Sequence, residues 1–288
     1  YLVYDLSDFV VTIQVKNGLE NMSIAASTLP IEKNDKQWNY FVQNTRNFAW
    51  SVGPSYLLES TKTGDIQIDT YSFPFHKNAG SHVLTESAKA IELFSEIFSE
   101  YPRRNLTIVE ADFFDGMEYD GLFFLSRGFY NLYDNTPANY LTAIAVHETA
   151  HQWWYSAIAN NQALEPWLDE ALCTYSELLF YEAYYPELVD WWWAYRIDFY
   201  QPEGKIDQPI YDYQGFVPYR NAVYLQGAKF IHAIRNELGD ESLFKFIKNF
   251  AQSENNKITT SDNFFKILSE YTDIDSLDLD HFFANRNQ

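Results

Sequence analysis

A chain of 288 residues is long enough to bury a sizeable core, as one large or two ordinary domains. Its 40 Asp and Glu against 20 Lys and Arg leave a formal charge of -20, which repels phosphate backbones and anionic lipid surfaces and predicts no nucleic-acid partner. No apolar run of about eighteen residues occurs and no charged-then-apolar leader opens the chain, so neither a membrane span nor a signal peptide is predicted.

In chain order, residues 1–75 alternate short strand patterns with turn signals. Phe9 to Val15 closes at Asn17-Gly18, and Ile66 to Tyr71 follows Thr63-Gly64-Asp65. The first residue is Tyr1 rather than Met, which reads as a trimmed or processed product. Localisation therefore stays open, an extracytoplasmic or membrane-associated parent included, and so does the oligomeric state. From Thr85 the apolar period becomes helical through Ser99, ahead of a strand at Leu106 to Val109 and an extended segment at Leu122 to Leu125.

Thr136 as N-cap and Pro137 at the first helical position predict a long helix to about Ala159, ended by Asn160-Asn161. Pro166 opens a second helix carrying Trp167 to about Tyr184, with Pro186 as its stop. After a loop rich in Tyr, Pro and Gly, helical patterns resume near Tyr219, end at Gly239, restart after Asp240, and return after Thr260 and near the C-terminus. Cys173, the lone cysteine, allows no intrachain disulfide and reads as a buried small hydrophobe. The fold class expected is α+β, with a β-rich N-terminal portion and a mainly helical remainder.

His147-Glu148-Thr149-Ala150-His151 falls inside the predicted long helix. Residues four apart are separated by about 40° around an α-helix, so both imidazoles project from one face and one metal can bridge them. Glu148 is turned by about 100° from His147, off the ligand direction and in the place of a general base for water activated by the metal. Glu170 offers a third ligand one turn into the second helix, if that helix folds back antiparallel to the first. The bland reading of the pentapeptide is a chance match or a surface histidine pair. Against it stands the apolar run Ala143 to Val146, inside which a His-Glu-His cluster is costly without a partner.

Glu170 stands nineteen positions after the second histidine, and three further segments share the pattern: Gly116-Met117-Glu118 upstream, Trp167-Leu168-Asp169-Glu170, and Tyr224-Leu225-Gln226-Gly227-Ala228. In these segments, their order and rough spacing, the chain resembles the aminopeptidase N family of gluzincin zinc metallopeptidases, most strongly from about Leu106 to His232. The resemblance implies a thermolysin-like catalytic domain at 76–288, preceded by part of a β domain at 1–75 and lacking the large C-terminal helical domain of many members. It implies one zinc per chain on His147, His151 and Glu170. Glu148 would be the general base, and Tyr224 would donate its hydroxyl to the oxyanion. Gly116, Met117, Glu118 and Tyr119 would line the substrate site, with Glu118 pairing the substrate's free α-amino group. Tyr119 departs from the family pattern, which has Asn there, so substrate preference is the expectation most affected. Unaided by the resemblance, Glu118 reads as a surface carboxylate and Tyr224 as one more packed ring.

The leading expectation is hydrolysis of N-terminal residues from peptides through a zinc-activated water, the partners being peptides with a free N-terminus. An endopeptidase or another hydrolase on the same zinc scaffold is the alternative within enzymes. A non-catalytic binding module is the alternative outside them, and the presence of all five residues His147, Glu148, His151, Glu170 and Tyr224 argues against it. His76, His82, His232 and His281 are isolated and read as surface or satisfied core histidines. Glu177 is a candidate carboxylate behind a zinc histidine or a solvated helix charge, and Trp191-Trp192-Trp193 line a cleft or pack a core.

Overall fold

The computed structural model describes residues 4–16 and 22–284. They form two compact units, one of residues 4–92 with 101–152 and the other of residues 93–100 with those from 153 onward. Strands and helices both contribute, as an α+β chain should show.

The first unit holds the sheets. Strands β1 (Ser7–Gln14), β2 (Ser23–Ala26), β3 (Glu32–Lys33), β4 (Gln37–Thr45) and β5 (Trp50–Gly53) form two small antiparallel arrangements, β1-β4-β3 and β2-β5. The turn expected at Asn17-Gly18 lies outside the described residues. Strands β6 (Leu57–Thr63) and β7 (Ile66–Ser72) make a hairpin whose turn puts Gly64 at φ +56°, a conformation that favours glycine. With β8 (Asn105–Ala111), β9 (Gly116–Tyr119) and β10 (Leu122–Ser126) they build a five-stranded sheet of order β6-β7-β8-β10-β9. β8 runs parallel to both neighbours and is buried from Asn105 to Glu110, as a central strand covered on both faces should be. β9 is an edge strand, antiparallel to β10.

The parallel step from β7 to β8 is made through helix α1 (Lys77–Ile97), the crossover that parallel strands require. This helix begins at Lys77, well ahead of the expected Thr85. Gly80 weakens the helical pattern in the sequence. In the fold it is an approach point, since a β-carbon there would lie 2.9 Å from the Cβ of Ser72.

After the short α2 (Arg127–Asn131) comes α3 (Tyr140–Ala150), which departs from expectation at both ends. Its N-cap is Asn139, whose side chain accepts from the Thr142 amide at 3.0 Å, whereas Thr136 bonds Asp134 in a separate turn. At the other end the backbone widens into a π-helical segment, Gln152–Ala157, with Trp154 at φ -88°, ψ 28°. Every residue of α3 from Leu141 to Ala150 is buried, so the helix has no solvent face.

The second unit is helical apart from the two-residue strands β11 (Ala159–Asn160) and β12 (Ile258–Thr259). α4 (Trp167–Tyr184) runs between the expected limits and is followed by the single turn α5 (Val189–Trp191). Then come α6 (Phe216–Arg220), a π-helical segment Asn221–Gln226, and α7 (Gly227–Leu238), which stops at Gly239 with φ +72°. α8 (Asp240–Ser253), α9 (Ser261–Leu268) and α10 (Leu279–Phe282) complete it. Trp167 anchors the unit's core, with Phe230, Phe264 and Phe283 edge-on at 5.1 to 5.7 Å and its indole N–H donated to Ser261 Oγ. Cys173 is buried and free, and no helix among the described residues is long and apolar enough to cross a membrane.

Candidate metal centre

His147 and Glu148 lie in the last turn of α3 and His151 caps its C-terminus. All three are at most 5% exposed, which removes the surface-pair reading of the motif. The two imidazoles stand with centroids 4.9 Å apart, on one side of the helix as the i, i+4 spacing requires.

β9 supplies the wall beside them. Gly116 and Glu118 share one face of this strand, because side chains alternate along it. Glu118 is buried, and its carboxylate, that of Glu148 and the His151 ring offer ligand atoms within 4.8 Å of one another. Met117 is exposed on the alternate face. Tyr119 is half-buried, edge-on to Phe124 at 5.8 Å, with its phenol pKa pushed up by burial first and by the Glu118 charge second.

Two residues that sequence reasoning passed over hold this wall in place. The side-chain amide of Gln152 donates to the Tyr119 carbonyl at 2.9 Å and accepts from the Gly121 amide at 2.8 Å. Asp120, between them, is buried and takes Arg103 through two guanidinium N–H groups at 2.6 and 2.5 Å, the Thr45 hydroxyl at 2.6 Å and the Arg46 amide at 3.0 Å. A buried Asp in a turn needs such partners. Gln152 carried no signal beyond adjacency to the motif.

In the second unit Glu170 occupies the first turn of α4 and is buried. The Tyr224 hydroxyl donates to its Oε1 at 2.6 Å, and the Tyr224 ring sits edge-on to Tyr219 at 5.6 Å. Asp169, also buried, orders the same turn: it accepts from the Glu170 amide at 3.0 Å, from Gln162 Nε2 at 2.7 Å and from Asn160 Nδ2 at 3.2 Å. Pro166, the residue before the helix, has no side-chain acceptor to offer, and the helix start carries no side-chain cap from it.

The histidines set aside from the sequence have ordinary partners. His76 bonds Glu110 and Asn131, His82 bonds Thr142, His232 bonds the Tyr175 hydroxyl, and His281 bonds Gln226. Glu177 is not a solvated charge. It is fully buried and grips Arg196 through two N–H groups at 2.8 Å and the Trp192 indole at 2.9 Å, so the Trp triplet contributes to packing through Trp192.

Buried imidazole and carboxylate donors are the set that zinc takes. A crowd of carboxylates at such low exposure is stabilised by a cation. The His147 and His151 imidazoles and the buried carboxylates are donors of the kind that could hold a divalent metal.

Comparison with known proteins agrees. The family model described as peptidase family M1 domain matches residues 82–285. Aminopeptidase M1-D of Oryza sativa subsp. japonica is 27% identical over 232 residues, covering 74% of this chain and 26% of the relative. Endoplasmic reticulum aminopeptidase 2 of Homo sapiens is 26% identical over 202 residues, 64% of this chain and 21% of the relative. Aminopeptidase N of Lactobacillus helveticus is 26% identical over 297 residues, 92% of this chain and 34% of the relative. The chain thus spans about a third or less of the length of these curated relatives.

Proposed function

The chain belongs to peptidase family M1, and from that premise we propose that it is a zinc-dependent aminopeptidase acting on peptides with a free N-terminus. In this reading 76–288 is the thermolysin-like catalytic domain, preceded by part of a β domain at 1–75. His147 in the last turn of α3, His151 at its C-cap and Glu170 in α4 would hold one zinc. Zinc bound there supplies Lewis acidity, polarising the scissile carbonyl and acidifying water.

The chain's own residues divide the remaining work. Glu148 removes a proton from the attacking water and delivers it to the departing amine. Tyr224 donates its hydroxyl to the carbonyl oxygen as negative charge grows there, and the short bond from that hydroxyl to Glu170 supports the assignment by keeping the donor beside a proposed ligand. Glu118 receives the substrate α-ammonium, so the scissile bond is counted one residue from the chain end.

The observation that carries this reading is the buried cluster of Glu118, Glu148 and His151 within 4.8 Å. A carboxylate placed beside the proposed base and metal histidine, on the strand bearing Gly116-Met117-Glu118, suits an incoming cation. The test joins elemental analysis of chelator-free protein with rates on matched free and N-acetylated peptides. One zinc per chain and a strong preference for the free amine are expected. Protein without a transition metal overturns the metal assignment, and equal rates on the two peptides replace the aminopeptidase reading with an endopeptidase.

A further inference from the structure

We infer that Gln152 is a positioning residue that sets Glu118 at a fixed height beside the motif helix, and so governs how strictly the enzyme demands a free N-terminus. The inference rests on the aminopeptidase reading above.

The bonds of Gln152 have a particular geometry. Its donor and its acceptor are both used, on the residues either side of Asp120, so one planar amide spans the turn between β9 and β10. The side chain is fully buried. Turn groups in water would be satisfied without it, but here the protein must supply the partners. Gln152 is the neighbour of His151 along the chain, and Tyr119 is the neighbour of Glu118. Sliding β9 past the end of α3 therefore breaks both bonds at once.

The far side of the turn is held independently. Asp120 is braced by Arg103, Thr45 and the Arg46 amide, and its own N–H donates to Asn47 Oδ1 at 3.1 Å. Gly121, at φ +79°, lies so near Ser27 that a β-carbon would stand 3.3 Å from the Ser27 carbonyl carbon. These braces fix the turn to the β portion of the unit. Gln152 ties the same turn to the end of the motif helix. An amide suits the place because it presents one N–H and one carbonyl oxygen. A carboxylate would set a lone pair against the Tyr119 carbonyl, and a thioether of similar size would satisfy neither group.

The experiment compares wild type with Gln152→Met and Gln152→Glu, both close in size to the original. Each is assayed on tripeptides of varied first residue with a free amine and on their N-acetyl counterparts, beside zinc content and thermal melting. For either variant kcat/KM on free-amine peptides should fall on the order of ten- to a hundredfold, as a displacement of about an ångström near the reacting groups does. The slow rate on acetylated peptides should change by less than about threefold, and zinc should stay at one per chain. The discrimination between the two substrates thus narrows by about threefold at the least and by more than about tenfold for the larger losses. A residue serving only the fold lowers both rates together and leaves the ratio alone, and that result overturns the inference while the aminopeptidase reading stands. Loss of folding in both variants overturns it as well, by placing Gln152 among residues of general stability. Wild type that cleaves both peptides equally removes the reading and the inference together.

Discussion

Gly116 lies against the side chain of Glu148 with no room for a β-carbon between them: one built on Gly116 would stand 2.5 Å from the Glu148 carboxyl carbon and 2.9 Å from its Cγ. The glycine of the edge strand is thus the floor on which the proposed base rests. Gly116→Ala should fold and bind zinc, because the group that must yield is a side-chain end. Glu148 is only 5% exposed, however, and has little space to yield into. Turnover is expected to fall on the order of a hundredfold through the misplaced base. Steady-state kinetics on metal-loaded protein decide it, and near-normal kcat would show that Glu148 adapts freely.

Glu148→Gln removes the proposed base while keeping the size of the side chain. The metal and the fold should remain, and hydrolysis should drop by about a hundredfold or more. Zinc analysis alongside the rate separates this from loss of a ligand. Activity within a few-fold of wild type would end the assignment.

Tyr224→Phe keeps the ring against Tyr219 and deletes only the hydroxyl that reaches Glu170. Charge on the substrate oxygen grows only after attack, so kcat should fall about a hundredfold or more with little change in KM. A change confined to KM would mark Tyr224 as a packing residue.

How much of this was open to sequence reading follows from which physical signals are local. The strands β7 and β8 and the limits of α4 were legible, because turn glycines and flanking prolines act within a few residues. The His147-Glu148-Thr149-Ala150-His151 geometry was legible for the same reason, since helical spacing alone sets the side the rings share. The start of α3 was misjudged because Thr136 and Asn139 are both good caps, and only the bond to the Thr142 amide selects Asn139. Its end was misjudged because a π-helical widening conserves the apolar pattern while changing the backbone hydrogen bonds. Glu177, Asp120 and Gln152 lay beyond reach in detail. Their partners Arg196, Arg103 and the 119–121 backbone are distant in sequence, and a lone polar residue does not announce which distant group will satisfy it.

Stability should show an acid limb traceable to His82. Burial lowers its pKa, against the opposing charge of Glu86 at 3.9 Å and with Lys89 and Asp134 as the other charges acting on it. The unfolded chain then binds the extra proton at a higher pH than the folded one. The stability contributed by neutral His82 is present above the ordinary histidine pKa and is lost as pH falls through the lowered folded value. His82→Gln should therefore lose less Tm than wild type on going from neutral pH to about pH 5, by roughly one to three degrees. Parallel melting curves for the two proteins across that range would exclude His82 as a source.

Glu118 separates the two enzymatic readings, because it is the residue whose proposed role depends on the substrate's terminus. Its carboxylate is buried on an edge strand, and Glu148 and His151 offer ligand atoms within 4.8 Å of it. A free N-terminus brings a positive charge to this carboxylate, and an acetylated one brings a neutral amide in its place. Truncating one partner of a desolvated pair commonly costs about 2 to 5 kcal/mol, which corresponds to well over tenfold in kcat/KM. Wild type should accordingly favour the free peptide by that factor or more. Glu118→Ala should lower the rate on the free peptide and leave the acetylated one nearly unchanged, narrowing the gap from one side only. Tyr119 projects from the opposite face of β9 and packs on Phe124, so its presence in place of Asn should alter residue preference without abolishing the demand for an amine. If Glu118→Ala depresses both substrates alike, Glu118 serves the zinc site in general, and the count from the chain end must be made by another group.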